Sequence, residues 1–328
     1  MTPLTVPEAP IGLDVHAGDG FAALSWLAPM GDGGAEIKGY DVYCSGSPEA
    51  KVCVKRNLTS TQFNITGLMD GQSYYLWVSA YNIMGEGQKG GPLIAIPIKR
   101  PGGPLNLTCI AGDRYVALNW SPPSDLGGVP WVNYTLLKGS SETSLVPTIT
   151  NINSTSYNFT GLKNGQTYYF AVMASNPMGE GPLSDTVNAQ PFSAPSEPRG
   201  LSATGGNGFV ILGWSQPLSD GGRGITGYAI YRGVGLLSME RIATVGKVMA
   251  YNDTTALNNI TYYYAVCALN AAGEGQMSSK VPGAPVYVPP VKSKDDDNTG
   301  DDVVDPDDKD SDGLNDSWEM GYFHNLTY

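Results

Sequence analysis

Tryptophan recurs every 94 residues, at Trp26, Trp120 and Trp214, each time closing an alternating apolar strand. A Gly-rich loop follows, then Gly39-Tyr40-Asp41-Val42-Tyr43, Asn133-Tyr134-Thr135-Leu136-Leu137 or Gly227-Tyr228-Ala229-Ile230-Tyr231. Farther on come Tyr74-Tyr75-Leu76-Trp77-Val78, Tyr168-Tyr169-Phe170-Ala171-Val172 and Tyr262-Tyr263-Tyr264-Ala265-Val266, running on to Asn82, Asn176 and Asn270. Each copy finishes in Gly-Glu-Gly, centred on Glu86, Glu180 and Glu274. A period this long means tandem domains, so the chain is an array before any residue in it is a site.

Within a copy the apolar residues alternate at period two: Leu24 and Trp26, Tyr40 and Val42, then Tyr74, Leu76, Val78 and Ala80. One face of every strand is therefore apolar, which calls for two sheets packed face to face. Asp19-Gly20, Asp32-Gly33-Gly34, Asp70-Gly71 and Gly85-Glu86-Gly87 punctuate the first copy as turns. The 42 Gly and 24 Pro of the 328 residues cluster at such turns, as in an all-β chain. About seven short strands per copy with no helical period read as a β-sandwich.

The order Trp, then Gly-Tyr-x-Val-Tyr, then Gly-Leu-x-x-Gly-x-x-Tyr-x-x-x-Val-x-Ala-x-Asn-x-x-Gly-x-Gly resembles fibronectin type III domains. The resemblance implies three tandem immunoglobulin-like sandwiches, over residues 6–98, 101–191 and 194–287. It also implies that Tyr74, Tyr168 and Tyr262 are corner tyrosines whose hydroxyls bond backbone near the preceding turn. The third copy departs from the pattern, with Thr255-Ala256 where the others have Gly67-Leu68 and Gly161-Leu162, and a reshaped turn is expected there. The joints 97–104, 191–198 and 282–290 are Pro-rich, so modules strung end to end with limited bending are expected.

The net charge of −12 is uneven, because residues from Lys292 onward carry −9 of it. No basic stripe exists, which argues against a nucleic-acid partner. Residues 288–304 read as an acidic, solvated linker. In the tail, 305–328, Asp308, Asp310, Asp312, Asp316 and Glu319 stand at positions 1, 3, 5, 9 and 12 of a calcium loop. Gly313 takes position 6, where the backbone turns sharply, and Leu314 offers a carbonyl at position 7. Hard oxygen donors in this spacing suit Ca2+, although no incoming helix is written, so the loop is EF-hand-like and incomplete. The segment also resembles the thrombospondin type 3-like repeats of secreted proteins, which implies further repeats beyond Tyr328. The alternative is a merely acidic tail.

Ten Asn-x-Ser/Thr triplets occur, at Asn57, Asn64, Asn106, Asn133, Asn153, Asn158, Asn252, Asn259, Asn315 and Asn325, against roughly three expected from composition. Asn64, Asn158 and Asn252 share one repeat position with outward parity. All but Asn315, inside the calcium loop, are expected to accept glycans where the host has the machinery. Cys44 and Cys53 bracket a turn between adjacent strands, so a local disulfide is expected in an oxidising compartment. Cys109 has inward parity and Cys267 outward.

Only His16 and His324 are available to a Ser-His-Asp or Cys-His device, and neither Gly-x-Ser-x-Gly nor His-Glu-x-x-His occurs, so catalysis is not expected. Tyr43, Tyr75, Trp77 and Tyr81 have outward parity on one sheet of the first copy. Four such aromatics suit stacking on sugar rings or anchoring a protein partner. The competing reading is a sheet face covered by its own side chains. Trp131 takes the place of Ile37 and Ile225 and is expected in the core.

The sequence thus reads as part of a secreted or cell-surface stalk, with adhesion or envelope assembly as its role. Its tail would be stiffened by Ca2+, and its partner would be a protein or a surface glycan. The competing class is a spacer region of a secreted polysaccharide-degrading enzyme, since fold does not choose between them. No stretch of 18 apolar residues spans a membrane and no signal peptide is visible, which favours an internal piece of a longer polypeptide.

Overall fold

The computed structural model describes residues 3–289. The first module holds β1 (Ile11–Gly18), β2 (Phe21–Leu27), β3 (Gly39–Ser45), β4 (Cys53–Leu58), β5 (Gln62–Thr66), β6 (Tyr74–Asn82) and β7 (Gly85–Ala95). The second holds β8 (Leu105–Gly112), β9 (Tyr115–Ser121), β10 (Asn133–Gly139), β11 (Val146–Ile152), β12 (Ser156–Phe159), β13 (Tyr168–Asn176), β14 (Gly179–Leu183) and β15 (Val187–Ala189). The third holds β16 (Arg199–Gly205), β17 (Val210–Ser215), β18 (Gly227–Gly233), β19 (Glu240–Val245), β20 (Ala250–Asp253), β21 (Tyr262–Asn270), β22 (Gly273–Met277) and β23 (Val281–Gly283). Among the described residues a single 3-10 turn, Glu142–Ser144, interrupts the strands. First and last strands therefore repeat at the sequence period, from 11, 105 and 199 to 95, 189 and 283.

Every module pairs a three-stranded sheet with a larger one. In the first these are β1-β2-β5 and β4-β3-β6-β7, all antiparallel. The second repeats this with β12-β9-β8 and β11-β10-β13-β14, and β15 continues the edge on β13. The third does the same, with β23 on β21. A sandwich of this kind is what alternating strands demand, since each sheet has one apolar face to hide.

Trp26, Trp120 and Trp214 are 2%, 5% and 6% exposed and meet Tyr40, Tyr134 and Tyr228 edge-on at 5.5, 5.4 and 5.4 Å. The corner tyrosines behave as the resemblance implied. Met69, Lys163 and Leu257 each donate a backbone N–H to the hydroxyl five residues on, at 2.9, 3.0 and 3.4 Å.

The departure at Thr255-Ala256 has a structural counterpart in the core. Where module 2 packs Phe159 on Phe170 at 5.0 Å, module 3 has Asp253 and Tyr264. Buried Asp253 accepts from Tyr264 Oη at 2.9 Å, Arg232 Nη1 at 2.8 Å and Thr255 Oγ1 at 2.7 Å. Burial pushes the carboxyl up, but these hydrogen bonds outweigh it and hold the group below its ordinary value. Thr255 is thus a ligand of the buried carboxylate, and Ala256 fills the core position of Leu162.

The chain divides into two compact units, the first two modules up to Phe192 and the third from Ser193. Among the described residues no helix is long and apolar enough to cross a membrane.

Candidate functional site

The register β3–β6 sets Tyr43 opposite Trp77, Ser45 opposite Tyr75 and Gly39 opposite Tyr81, so the four aromatics share the outer face of one sheet. They do not form an open platform. Tyr43 is 5% and Trp77 3% exposed, while Tyr75 and Tyr81 are half-buried. Lys89 Nζ sits 4.1 Å from the centre of the Tyr43 ring, and Lys51 Nζ 5.6 Å from that of Trp77. Tyr75 stacks beside Trp77 at 6.5 Å. Strand β7 closes over the indole at Gly91, where a Cβ would lie 3.3 Å from Trp77 Cδ1 and 2.6 Å from the Leu76 carbonyl oxygen. The face is covered by its own side chains at Tyr43 and Trp77, which is the competing of the two readings that the sequence left open.

Beneath that cover lies a polar cluster that strand parity alone does not reveal. Glu86 Oε1 accepts from Tyr43 Oη at 2.5 Å, Ser79 Oγ at 2.7 Å and Lys89 Nζ at 2.7 Å. Burial would raise its pKa, but the bonds from Lys89, Tyr43 and Ser79 prevail and hold the carboxyl at about 2. Glu86 is therefore a fixed anion at neutral pH and no proton carrier. Module 3 repeats the arrangement with Tyr231, Glu274 and Arg241, whose guanidinium contacts both partners. Cys267 is buried beside them, and burial first, then Glu274, pushes its thiol up to about 12. Such a thiol is inert at neutral pH. In module 2 the matching positions are Leu137 and Met173, with Glu180 left without the tyrosine.

The Cys44–Cys53 disulfide is corrected, since both thiols are free. Cys53 pairs across the ladder with Tyr43 and so shares its outer face, whereas Cys44, one residue on, points into the core. Adjacent residues of a strand face opposite ways, so the two sulfurs lie on opposite sides of the sheet. Cys109 packs against the core of module 2 as its parity implied. Trp131 does not: it is 56% exposed, and Val132 fills the core beside it.

Asn57, Asn64, Asn106, Asn153, Asn158, Asn252 and Asn259 are exposed, and Asn133 is half-buried. Asn57, Asn106 and Asn259 adopt positive φ of 59°, 53° and 64°, a conformation asparagine tolerates better than most side chains. The calcium-loop residues Asp308, Asp310, Asp312, Leu314, Asp316 and Glu319, and the acceptor Asn325, lie outside the described residues.

The profile of the fibronectin type III domain matches residues 8–96 and 102–190. The chain belongs to the fibronectin type III family. Its third module keeps the same sheet orders and corner tyrosine. Among curated proteins, this family member is 27% identical over 299 residues to tyrosine-protein phosphatase Lar of Drosophila melanogaster, covering 84% of the chain and 14% of that protein. It is 26% identical over 293 residues to exoglucanase B of Cellulomonas fimi, 84% of the chain and 25% of that protein. Against the netrin receptor DCC of Mus musculus it is 26% identical over 271 residues, 77% of the chain and 18% of that protein. The chain thus spans at most a quarter of these relatives. Fibronectin type III modules recur as non-catalytic parts of such receptors and enzymes.

Proposed function

We propose that this chain is a non-catalytic spacer and contact region of an extracellular or cell-surface protein. Its tail binds Ca2+ through Asp308, Asp310, Asp312, Leu314, Asp316 and Glu319. The observation that carries the spacer reading is how the reactive side chains are used. Glu86, Asp253 and Cys267 are each committed to structural bonds or buried, and the cover over Trp77 is internal. Similarity to the netrin receptor DCC supports a surface role with a protein partner. Bound Ca2+ neutralises part of the Asp cluster and stiffens the segment that carries it. The seven exposed sequon asparagines are the positions a glycan would occupy. Titration calorimetry with Ca2+ on the chain and on its Asp310→Ala/Asp312→Ala variant tests the tail. Saturable binding lost in the variant supports it, and no binding in the parent leaves an acidic linker.

The second reading, a spacer of a secreted polysaccharide-degrading enzyme, draws on the match to exoglucanase B. Partition of the chain between insoluble polysaccharide and surface extracts separates the two readings. Retention on polysaccharide that disappears in Tyr75→Ala/Tyr81→Ala favours the enzyme context, because these are the aromatics of the face left accessible.

A further inference from the structure

We infer that the first two modules are fixed to each other by an ionic clasp, which Lys99 closes between Asp70 of module 1 and Asp125 of module 2. Lys99 lies in the connection between β7 and β8, and its Nζ is 3.6 Å from Asp70 Oδ2 and 3.0 Å from Asp125 Oδ2. Both carboxylates are held for this duty by their other oxygen. Asp70 Oδ1 accepts from Gly20 N at 3.0 Å, and Asp125 Oδ1 from Gly127 N at 2.8 Å. The lysine backbone is fixed as well: its N–H donates to Gly127 O at 3.0 Å, and its carbonyl accepts from Asn176 Nδ2 at 2.6 Å. On the module 1 side, Gly71 N donates to Pro97 O at 2.8 Å.

Beside the charges, the two modules meet backbone to backbone. A Cβ on Gly71 would lie 2.9 Å from Gly128 O, and one on Gly128 only 2.5 Å from Gly71 N. Both glycines have positive φ, 82° and 84°, so any side chain would be strained as well as crowded. The hydrogen bond to Asp125 holds the lysine charged, with its pKa above the ordinary value. One exposed ion pair adds little to folding stability. Laid over a tight backbone contact, the clasp selects an orientation instead.

Repeat positions show that this is a local device. Asp70 matches Asn164 and Asn258, which make the same bond to the turn before the second strand, at Arg114 N and Gly208 N. Lys99 and Asp125 match Ser193 and Ser219. The positions matching Asp70, Lys99 and Asp125 one repeat later are thus uncharged, and the Asn-to-Asp difference at 70 is what gives the lysine a second carboxylate oxygen.

Nitrogen-15 relaxation on the full chain tests the clasp through the correlation time of each module. At low salt, modules 1 and 2 are expected to share one value. Lys99→Met is expected to split it without moving the melting temperature, and so is Asp125→Asn, which keeps the acceptor for Gly127 but loses the charge. Salt at 1 M, where screening acts within about 3 Å, is expected to weaken the shared value, whereas Ca2+ or chelator leaves it unchanged. Separate correlation times in the parent chain overturn the inference, as does a shared value that survives both substitutions. A split in Lys99→Met alone overturns its ionic basis.

Discussion

The side-chain amide of Asn82 donates at 2.8 Å to the carbonyl oxygen of Thr5, 77 residues earlier. The same amide donates to Asp32 O at 2.7 Å, and its oxygen accepts from Met84 N at 2.7 Å. One carboxamide thus ties the leading segment, the β2–β3 loop and the β6–β7 turn. Asn176 and Asn270 do the same, reaching Lys99 O and Ser193 O at 2.6 and 2.8 Å. Asn176→Ala leaves two carbonyls without this donor and is expected to destabilise module 2 by about 2–3 kcal/mol. Chemical denaturation followed by the second module's resonances checks it, and an unchanged midpoint would show that the tie contributes no stability.

Acid acts on module 1 through Glu86. Its folded carboxyl sits at about 2 against an ordinary 4.5, so the unfolded chain takes up the proton first. The contribution of the cluster is full above pH 4.5 and is lost as pH falls toward 2. Glu86→Gln is expected to flatten that part of the stability profile, and an unchanged slope between pH 4.5 and 2 would contradict the assignment.

In module 3, Asp253→Ala strands the Arg232 charge and the Tyr264 hydroxyl, and a loss of about 3–5 kcal/mol is expected. Copying the module 2 residues, Arg232→Lys with Asp253→Phe and Tyr264→Phe, removes the buried charge and is expected to recover much of it. Thermal unfolding of both variants is the measurement. A triple variant no better than Asp253→Ala would show that the polar core is required.

Two non-repeated tryptophans, Trp77 and Trp131, separate cover from exposure. Trp77→Ala empties a buried site and is expected to cost about 3–5 kcal/mol. Trp131→Ala, at a position 56% exposed, is expected to stay within about 0.5 kcal/mol. Equal losses would mean that β7 does not close over Trp77.

Thiol chemistry gives an independent check on strand facing. Under native conditions Cys53 is expected to react with maleimide, while buried Cys44 and Cys267 are protected. Peptide mapping without reductant after air oxidation should recover Cys44 and Cys53 unlinked. A crosslinked peptide joining them would overturn the register of β3 and β4.

The sandwiches were legible because a period of 94 and a period of two are both readable along the chain, and a tyrosine opening a strand carries its own turn chemistry. Parity says which face a side chain takes but not what lies over that face. For that reason Tyr43 and Trp77 read as a platform, although Lys89, Lys51 and β7 cover them. Cys44 and Cys53 look adjacent across a turn, yet a bulged register pairs Cys53 with Tyr43 instead. Trp131 and Val132 are neighbours in sequence, and only packing decides which enters the core. The roles of Asn82, Glu86 and Asp70 depend on partners 7 to 77 residues away. The repeat marks the first two of these positions without revealing what they bond.

Each core indole lies within 5.5 Å of its own tyrosine ring, and the setting recurs almost unchanged in all three sandwiches. The chain therefore carries three matched fluorophores, one per module. With the other five tryptophans changed to phenylalanine, the emission of Trp26, Trp120 or Trp214 alone reports when its own module opens. An array that looks featureless to a bulk melting curve becomes three separately addressable thermometers.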